Sequence, residues 1–510
     1  MIGAALLLAI DLAAGARIYR EVGPLPCASC HRRSGYGSTE GTVYVPPVTG
    51  EALFGNGPLP RSGIYERLFH DAQPPLAYAA VRVPHPRPPY TLATLAEVLR
   101  EGRSPAGRTL DPIMPRYALT DDEVASLAGY LRSLSGVAVP GVDGHTIRFA
   151  TVVTDGVAPE RRRALLDVLS AYVRWKNAAT AAIRPRAGSP LWYQQDFARD
   201  DRDWVLDVWE LHGPAATWPA QLETFDRAQP VFAILGGVAD DGWQPVHDFC
   251  ERHQVPCVFP STDRPAVAEG SYALYLSRGL AGEAQALARH LADSQITARS
   301  IVQCYRGDGR GRVPAAALRA ALPQVQDRDI ATRELRASFW DDVLRGHPSA
   351  LVLWLEETDL ATLPPIPPDV QAIYLSYGLL DRVPQLPADL RSRVRLTYPY
   401  ALPADEAPHA YRVRAWLRAR GITPSDERLQ FNTWFTLAVA DNALTRLAGR
   451  ISRDAFIERV EEETESTLNP GVYPRLSLGP GQRFASTGSY IVALPAAGSE
   501  VRAMSDWIVP

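Results

Sequence analysis

The chain has 510 residues, of which 46% are hydrophobic and 22% are charged, and at ~150 residues per domain this length predicts about three globular units. This composition excludes collagen-like, disordered and multi-span membrane proteins. The net charge of −4, from 53 basic and 57 acidic residues, is too balanced for a dedicated nucleic-acid binder. We therefore expect no nucleic-acid partner.

The chain begins with a short apolar run, Ile2 to Ile10, which ends at Asp11. A secretory signal has a basic n-region, an apolar h-region and a small-residue cleavage site, but no Lys or Arg precedes this run. Two interpretations stay open: a residual or truncated export signal over residues 1–14, or the first helix of a folded domain. The run is shorter than the ~20 residues that cross a bilayer, and no later segment qualifies, so no integral membrane segment is predicted.

Residues 15–136 are rich in Gly and Pro, and their apolar spacing predicts four helices. Thr120 and Glu123 have the spacing of a capping box, in which each side chain satisfies a free backbone N–H of the first helical turn. Apolar residues then recur at helical spacing up to Leu134, so this helix has one buried stripe. The four predicted helices are Ala16–Glu21, Gly63–Phe69, Leu92–Arg100 and Thr120–Leu134.

The most specific motif in the chain is Cys27-Ala28-Ser29-Cys30-His31. C-x-x-C-H is the attachment signature of c-type haem. Two thiols at this spacing add to the two vinyl groups of one haem, and the adjacent histidine reaches the iron. A thioredoxin-like pair would follow a strand in a βαβ unit, and a zinc site would need a second Cys/His pair. Neither context occurs in this segment, so the motif predicts one covalent haem c with His31 as an axial iron ligand.

Met114 is the candidate for the second axial ligand. It lies in the sequence Asp111-Pro-Ile-Met-Pro115, a loop between prolines that precedes the capped helix. A thioether on such a loop can reach the haem face opposite His31, and His/Met ligation raises the reduction potential. The alternative is that Met114 fills a gap in the core. His70 and His85 are the other candidates for this position.

Three motifs in this order resemble a class I monohaem cytochrome c: Gly15 to Tyr19, the CASCH motif, and MPRYALTDDEVASLAGYLRSL. In that family the first helix crosses a C-terminal helix that ends in a Tyr-Leu pair, here Tyr130-Leu131. The resemblance covers about residues 12–136 and implies a small all-α domain, single-electron transfer with a redox partner protein, and a periplasmic location. Tyr19 and Cys27 are unusually close in sequence, so we expect an open haem edge near the first helix. A haem peroxidase is a weaker possibility, because Met114 would have to leave the iron.

The pattern of predicted secondary structure changes after a Gly/Pro-containing linker at residues 137–144. From residue 145 to 510, strands alternate with helices, which predicts βαβ units and parallel sheets. Two successive runs of this kind predict two lobes, each with a doubly wound sheet. The first run starts at Thr146–Val153 and the second at Tyr272–Ser277, and helices at Pro408–Arg420 and Leu429–Ala448 precede a last strand at Tyr490–Leu494.

The order of these elements resembles that of type I periplasmic solute-binding proteins. The resemblance implies a small-molecule solute bound in the cleft between the lobes, at loops that follow strand carboxyl ends. We expect the N–H groups of Gly236 and Gly237 to receive a carboxylate, although glycines at such turns also serve backbone geometry alone. Glycines instead of hydroxyl residues after this strand argue against an amino-acid ligand. The predicted cleft residues are Thr154, Asp155, Gly236, Gly237, Ser261, Thr262 and Tyr377, and the aromatic residues that could line the cleft or the core are Trp192, Tyr193, Trp243 and Trp434.

No catalytic motif accompanies these patterns. The sequence lacks a G-x-S-x-G elbow, a P-loop and H-E-x-x-H, so we expect an electron carrier and binding protein, not an enzyme. The pair Asp240-Asp241 and the run from Glu461 to Glu465 are predicted to be solvated charges. Cys250 and Cys257 flank a helix-to-strand turn, which leaves a disulfide and two free thiols both open, while Cys304 is predicted to be a buried free thiol.

Two hypotheses for function follow. In the first, the haem carries single electrons and is fused to a solute-binding-like domain. In the second, the protein is a ligand sensor in which occupancy of the cleft modulates the haem domain or its docking to a partner.

Overall fold

The computed structural model describes residues 11–23, 25–40, 43–55, 87–136, 138–183, 202–266, 270–294, 300–307, 309–330, 337–360, 362–447, 451–465, 468–494 and 501–510. The chain forms two compact units. Unit 1 comprises Met1–Thr146, Ala179–Asp203 and Ala443–Arg459, and unit 2 comprises Ile147–Ala178, Trp204–Asn442 and Val460–Pro510.

The N-terminal part of unit 1 is mainly helical. Its helices are α1 (Leu12–Glu21), α2 (Cys27–His31), α3 (Gly50–Phe54), α4 (Leu92–Glu101) and α5 (Asp121–Ser133), and its strands β1 (Ser38–Glu40) and β2 (Val43–Val45) form an antiparallel pair. The capping box is confirmed: Thr120 and Glu123 satisfy each other's backbone N–H groups at the start of α5. The predicted helix at Gly63–Phe69 lies outside the described residues.

Helices α1 and α5 cross at Gly15. A Cβ atom on Gly15 would lie 2.2 Å from the carbonyl oxygen of Ser126 and 2.8 Å from the Cβ of Tyr130, so only glycine allows this approach. The rings of Tyr19 and Tyr130 then pack with centroids 5.5 Å apart. The two helices thereby form the core on which the other helices of this part pack.

The first lobe of unit 2 is a six-stranded sheet in the order β13-β7-β6-β5-β3-β4. Strands β3, β5, β6, β7 and β13 pair in parallel. Its strands are β3 (Thr146–Thr154), β4 (Asp203–Leu211), β5 (Ala233–Leu235), β6 (Cys257–Val258), β7 (Ala273–Ser277) and β13 (Phe484–Ser486), and its helices are α6 (Pro159–Ile183), α7 (Trp218–Ala228) and α8 (Gln244–His253).

The second lobe is a seven-stranded sheet in the order β15-β14-β12-β11-β10-β8-β9, in which only β14 and β15 run antiparallel to their neighbours. Its strands are β8 (Ile301–Tyr305), β9 (Gln326–Asp329), β10 (Ala350–Trp354), β11 (Ala372–Ser376), β12 (Val394–Tyr398), β14 (Tyr490–Ala493) and β15 (Arg502–Ala503). Its helices are α9 (Gly279–Asp293), α10 (Arg312–Ala321), α11 (Ala337–Arg345), α12 (Glu357–Leu360) and α13 (Ala388–Arg393), with a 3-10 segment at Tyr377–Gln385.

Three further helices are α14 (Pro403–Arg418), α15 (Glu427–Leu447) and α16 (Arg453–Thr464). The prediction that Glu461 to Glu465 are solvated is wrong for two members of the run. Glu461 is 8% exposed and Glu463 is 3% exposed. Glu461 is buried because its Oε1 lies 2.5 Å from Nη2 of Arg483, which is also buried, so each charge is neutralised by the other.

The predicted fold class is confirmed: a helical N-terminal part precedes a two-lobed α/β part with largely parallel sheets. Cys304 is buried as a free thiol, as predicted, and Cys250 and Cys257 are buried and form no disulfide bond with each other. None of the helices in the described ranges is both long and apolar enough to cross a membrane.

Candidate functional site

The CASCH motif forms a single turn of helix, α2, which places Cys27 and Cys30 on one side. Both thiols are free and half-buried. The N–H of Gly37 donates to the carbonyl of His31 at 3.0 Å, and the hydroxyl of Ser38 donates to the carbonyl of Cys30 at 2.8 Å. These bonds satisfy the carbonyls at the end of the turn and hold the motif in place.

The ring of His31 is oriented by one hydrogen bond. Its Nδ1 lies 2.9 Å from the carbonyl oxygen of Pro46, and since a carbonyl can only accept, Nδ1 carries the proton. The lone pair of Nε2 is then left for a metal, and histidines that ligate metals commonly donate their other ring N–H to a carbonyl in this way. Burial lowers the pKa of His31, which favours the neutral, ligating form.

Tyr117 connects the Met114 loop with the segment that precedes the motif. Its hydroxyl donates to the carbonyl of Leu25 at 2.6 Å, and Tyr117 and Cys27 each affect the pKa of the other. Burial raises the pKa of the Cys27 thiol. The residue three positions after Met114 is thus fixed beside the first cysteine.

Met114 is half-buried and packs on the hydrophobic cluster that also receives Cys27 and Ala28. The guanidinium of Arg116 donates to the carbonyl of Met114 and, at 3.1 Å, to that of Leu110. Gly102, at φ +78°, leaves room for this guanidinium, which a Cβ would approach to 2.2 Å. Arg116 therefore fixes the shape of the loop that carries the thioether.

The residue set fits a haem c. Two thiols share one helical turn, a neutral imidazole has its Nε2 lone pair available, and a thioether packs on the same cluster as the first thiol. The other candidate ligands, His70 and His85, lie outside the described residues. The contacts of Pro46, Tyr117 and Arg116 were not predicted, because the sequence does not show which side chains and carbonyl groups meet in the fold.

Unit 1 also brings a distant carboxylate to this region. Glu458 accepts from the N–H of Ser34 at 2.9 Å and from its hydroxyl, and Arg33 forms an ion pair with Asp454 at 2.7 Å. Ser34 is 3% exposed, and burial raises the pKa of Glu458 to about 7. The two residues that follow Arg32 after the motif are thus held by α16.

In unit 2, the predicted cleft residues of the first lobe are largely engaged with their own lobe. The hydroxyl of Thr154 bonds to Asp240. Asp155 binds Nδ1 of His212 at 2.6 Å and the N–H of Gly213 at 3.1 Å, and the bond from His212 lowers the pKa of Asp155.

Gly236 and Gly237 both have positive φ angles, +64° and +107°. The N–H of Gly236 donates to Val258 at 2.9 Å, so it is not free for a carboxylate, and the carbonyl of Gly237 accepts from Ser261 at 2.9 Å. A Cβ on Gly237 would lie 2.7 Å from the ring of Trp243. Both glycines thus serve the geometry of the sheet.

Thr262 accepts from the N–H of Arg264 at 3.1 Å. Trp243 is fully buried and Trp434 is 6% exposed, so both belong to the core, while Trp192 and Tyr193 lie outside the described residues.

Tyr377 lies in a cluster of aromatic rings at the carboxyl ends of β11 and β12. Its ring centroid is 5.2 Å from that of Tyr398 and 4.7 Å from that of Tyr400. The guanidinium of Arg428 lies 4.6 Å from the centroids of both Tyr377 and Tyr400. Of the predicted cleft residues, Tyr377 is the one with an aromatic and cationic environment.

Beneath this cluster, the N–H of Tyr377 donates to Glu283 at 3.3 Å. The hydroxyl of Ser376 donates to the same carboxylate at 2.8 Å, and that of Thr397 does so at 2.5 Å. Glu283 is 5% exposed, and burial raises its pKa to about 7. No motif marks this carboxylate in the sequence, because its neighbours in α9 are Gly282 and Ala284.

Comparison with known proteins identifies a family for the N-terminal part of the chain. The family model "Cytochrome c" matches residues 12–135. A sequence comparison with curated proteins gave no match. The first part of the chain is therefore a cytochrome c domain.

Solved structures resemble the remainder in fold. A fatty acid ABC transporter substrate-binding protein from Thermomonospora curvata has a TM-score of 0.50 at 14% identity, over 73% of this chain and 95% of its own. A substrate-binding protein from Aeropyrum pernix has a TM-score of 0.50 at 15% identity, over 72% and 96%. A branched-chain amino acid ABC transporter from Thermus thermophilus with bound valine has a TM-score of 0.50 at 10% identity, over 72% and 97%. The two-lobed part thus has the fold of type I periplasmic binding proteins.

Proposed function

We propose that the protein is a periplasmic c-type cytochrome that transfers single electrons through one covalent haem. Cys27 and Cys30 would form the two thioether bonds, and His31 and Met114 would hold the iron from opposite faces. The observation that carries this proposal is the hydrogen bond from His31 Nδ1 to Pro46, because it leaves Nε2 available on the residue that follows the second cysteine in α2. The haem, when bound, supplies an iron that changes between the ferric and ferrous states.

The chain's own residues would keep that change of state structurally small. Pro46 holds the imidazole plane, and Arg116 and Tyr117 hold the loop that carries Met114. Fixed ligands reduce the rearrangement that accompanies electron transfer. The buried, neutral imidazole and an uncharged thioether together favour a raised reduction potential.

Attachment is tested by a pyridine haemochrome spectrum and an intact mass of the exported protein. We expect a spectrum of haem bound through two thioethers and a mass increased by one haem. A colourless protein with the mass of its amino acids alone would refute the proposal.

Ligation is tested with Met114→Ala. The near-infrared charge-transfer band of the ferric wild-type protein is expected to disappear in this variant, while the covalent haem is retained. Met504→Ala is the matched control, because Met504 is 48% exposed in the C-terminal segment of unit 2, and it should leave the band unchanged. An unchanged band in Met114→Ala would exclude Met114 as a ligand.

The second candidate function is solute binding by the two-lobed part, and the fold shared with substrate-binding proteins favours it. In this role a bound solute would alter the haem domain or its docking to a redox partner. A shift of the midpoint potential, or of the affinity for a redox partner, on saturation with solute would support a sensor. Saturation that changes neither property would leave an independent binding domain.

A further inference from the structure

Two arginines lie just after the carboxyl ends of strands in unit 2, one from each lobe. Arg161 is in the first turn of α6, after β3 of the first sheet, and Arg310 lies between β8 and α10 of the second. In open α/β sheets, ligands bind in the crevice outside these strand ends. Both side chains keep about half of their surface exposed, 51% for Arg161 and 56% for Arg310.

Each of these arginines is paired with one carboxylate. Arg310 forms an ion pair with Asp263, which follows β6, so this pair joins the two lobes. Arg161 lies 3.5 Å from Asp426, which precedes α15. Ion pairs between side chains with this exposure are weak, so a ligand carboxylate can replace the aspartates.

The positive charge of Arg161 also acts on Arg310. Burial, and then the positive charge of Arg161, lower the pKa of Arg310, while Glu356 raises it. Glu356 lies close by, since its Oε1 is 3.2 Å from where a Cβ on Gly309 would be. An anion that takes the place of the aspartates is therefore attracted by the charges of both arginines.

The aromatic cluster of Tyr377, Tyr398 and Tyr400 lies near Arg161 and Asp426. Tyr400 experiences the charges of both Arg161 and Asp426, and the guanidinium of Arg428 covers its ring. The crevice therefore combines arginines with flat apolar surface. That combination suits a planar or short-chain organic acid, because guanidinium binds carboxylate through two parallel hydrogen bonds.

We propose that the crevice binds a small organic acid, whose carboxylate replaces Asp263 on Arg310 and Asp426 on Arg161. This inference rests on the proposed solute-binding role and assigns a ligand class to it. If the ligand carboxylate replaces the aspartate in each ion pair, substitution of the arginine and substitution of the aspartate have opposite effects on ligand affinity. Loss of the arginine weakens binding, and loss of the competing aspartate strengthens it.

The test is isothermal titration calorimetry on the full-length haem protein at low ionic strength. Succinate and benzoate are the probes, succinamide and benzamide are their neutral counterparts, and sodium sulfate controls for simple ions. We expect at least one of the two acids to bind and its amide not to bind. Arg310→Gln and Arg161→Gln should weaken binding at least tenfold, and Asp263→Asn should strengthen it severalfold.

The matched control is Arg345→Gln, because Arg345 is 75% exposed and pairs only with Asp342 on its own helix among the ion pairs of the described residues. It should leave binding unchanged. If an amide binds as well as its acid, and Arg310→Gln has no effect, the ligand class is wrong while solute binding stands. If sulfate reproduces the effect, the site holds an adventitious ion only and the inference fails. If none of the acids, amides or a wider panel of neutral and cationic solutes binds, both this inference and the solute-binding proposal fail.

Discussion

At the scale of single residues, one hydrogen bond decides what His31 can do. Without the Pro46 carbonyl, neither ring nitrogen would be committed to carry the proton, and the ring could rotate. With it, Nε2 is held as the unprotonated atom in a site that disfavours the charged imidazole. At Glu283 two effects oppose each other: burial raises the pKa, and the hydrogen bonds donated by Thr397 and Ser376 lower it. Burial is the larger effect.

Glu283 gives the first stability prediction. Burial raises its pKa from 4.5 to about 7, so the folded protein holds the proton more tightly than the unfolded chain. This contribution to stability is complete below about pH 4.5 and is lost as the pH rises through 7. Between pH 5 and pH 8 the loss is about 2–3 kcal/mol. Glu283→Gln mimics the neutral form and should remove this part of the pH dependence.

The measurement is urea unfolding at pH 5 to 8, followed by tryptophan fluorescence, because the tryptophans of the described residues lie in unit 2. Glu357→Gln is the control, since Glu357 is 56% exposed and pairs with Arg382 at the surface. The control should keep the wild-type slope. A Glu283→Gln variant that also keeps it would show that the carboxyl group is already ionised at pH 5.

The sequence predicts those site residues that are close to one another along the chain, and it does not predict those that are distant. His31 and the two cysteines lie within five residues, so their chemistry is visible as a motif. Pro46 and Tyr117 act on the same motif from 15 and 90 positions after His31 and Cys27, and neither residue type marks a haem site. Gly236 is the opposite case: its glycine suggested an anion site, but the sheet uses its N–H.

At the scale of elements, the sequence predicted the start of a helix correctly where residues within a single turn determine it. The capping box at Thr120 places the start of α5 because its two bonds are formed within four residues. α16 was missed because its charged run hides the apolar positions Phe456, Ile457 and Val460, all of which are buried. Glu461 is buried with Arg483, which lies outside the helix, so the spacing of apolar residues along α16 does not indicate this pair.

The α1–α5 crossing gives a prediction for Gly15. Alanine is a better helix former than glycine by about 1 kcal/mol, so Gly15→Ala would stabilise an isolated α1. In the protein the new Cβ would collide with the backbone of Ser126, and overpacking of this kind costs about 1–3 kcal/mol. We expect net destabilisation, measured by guanidinium-induced unfolding followed by haem absorbance.

Arg17→Ala is the matched control for that experiment, because Arg17 is exposed on the same helix. Its effect should stay within about 0.5 kcal/mol. If Gly15→Ala is as stable as the wild-type protein, the close approach of the two helices is not required.

At the scale of the whole molecule, the order of the chain does not coincide with its compact units. A division at residues 137–144 is predicted by composition, and it stays a prediction. Unit 1 nevertheless includes residues 443–459. Ser34 and Glu458 are separated by 424 positions, so no local pattern in the sequence could relate them.

Removal of Glu458 tests whether this distant segment stabilises the haem unit. In Glu458→Ala, the buried N–H and hydroxyl of Ser34 lose their acceptor, and an unsatisfied buried polar group costs about 1–3 kcal/mol. Unfolding followed by haem absorbance should report this loss. Glu465→Ala, which removes an exposed partner of Arg475, should change stability by no more than about 1 kcal/mol.

A double-mutant cycle with Ser34→Ala separates this interaction from a general effect of the substitution. Ser34→Ala removes the hydroxyl donor but keeps the N–H, so the two single losses should not add in the double variant. A coupling energy of at least about 0.5 kcal/mol is expected. Additive losses would mean that Glu458 stabilises unit 1 through other neighbours, and that the haem-binding segment does not depend on a residue from the far end of the chain.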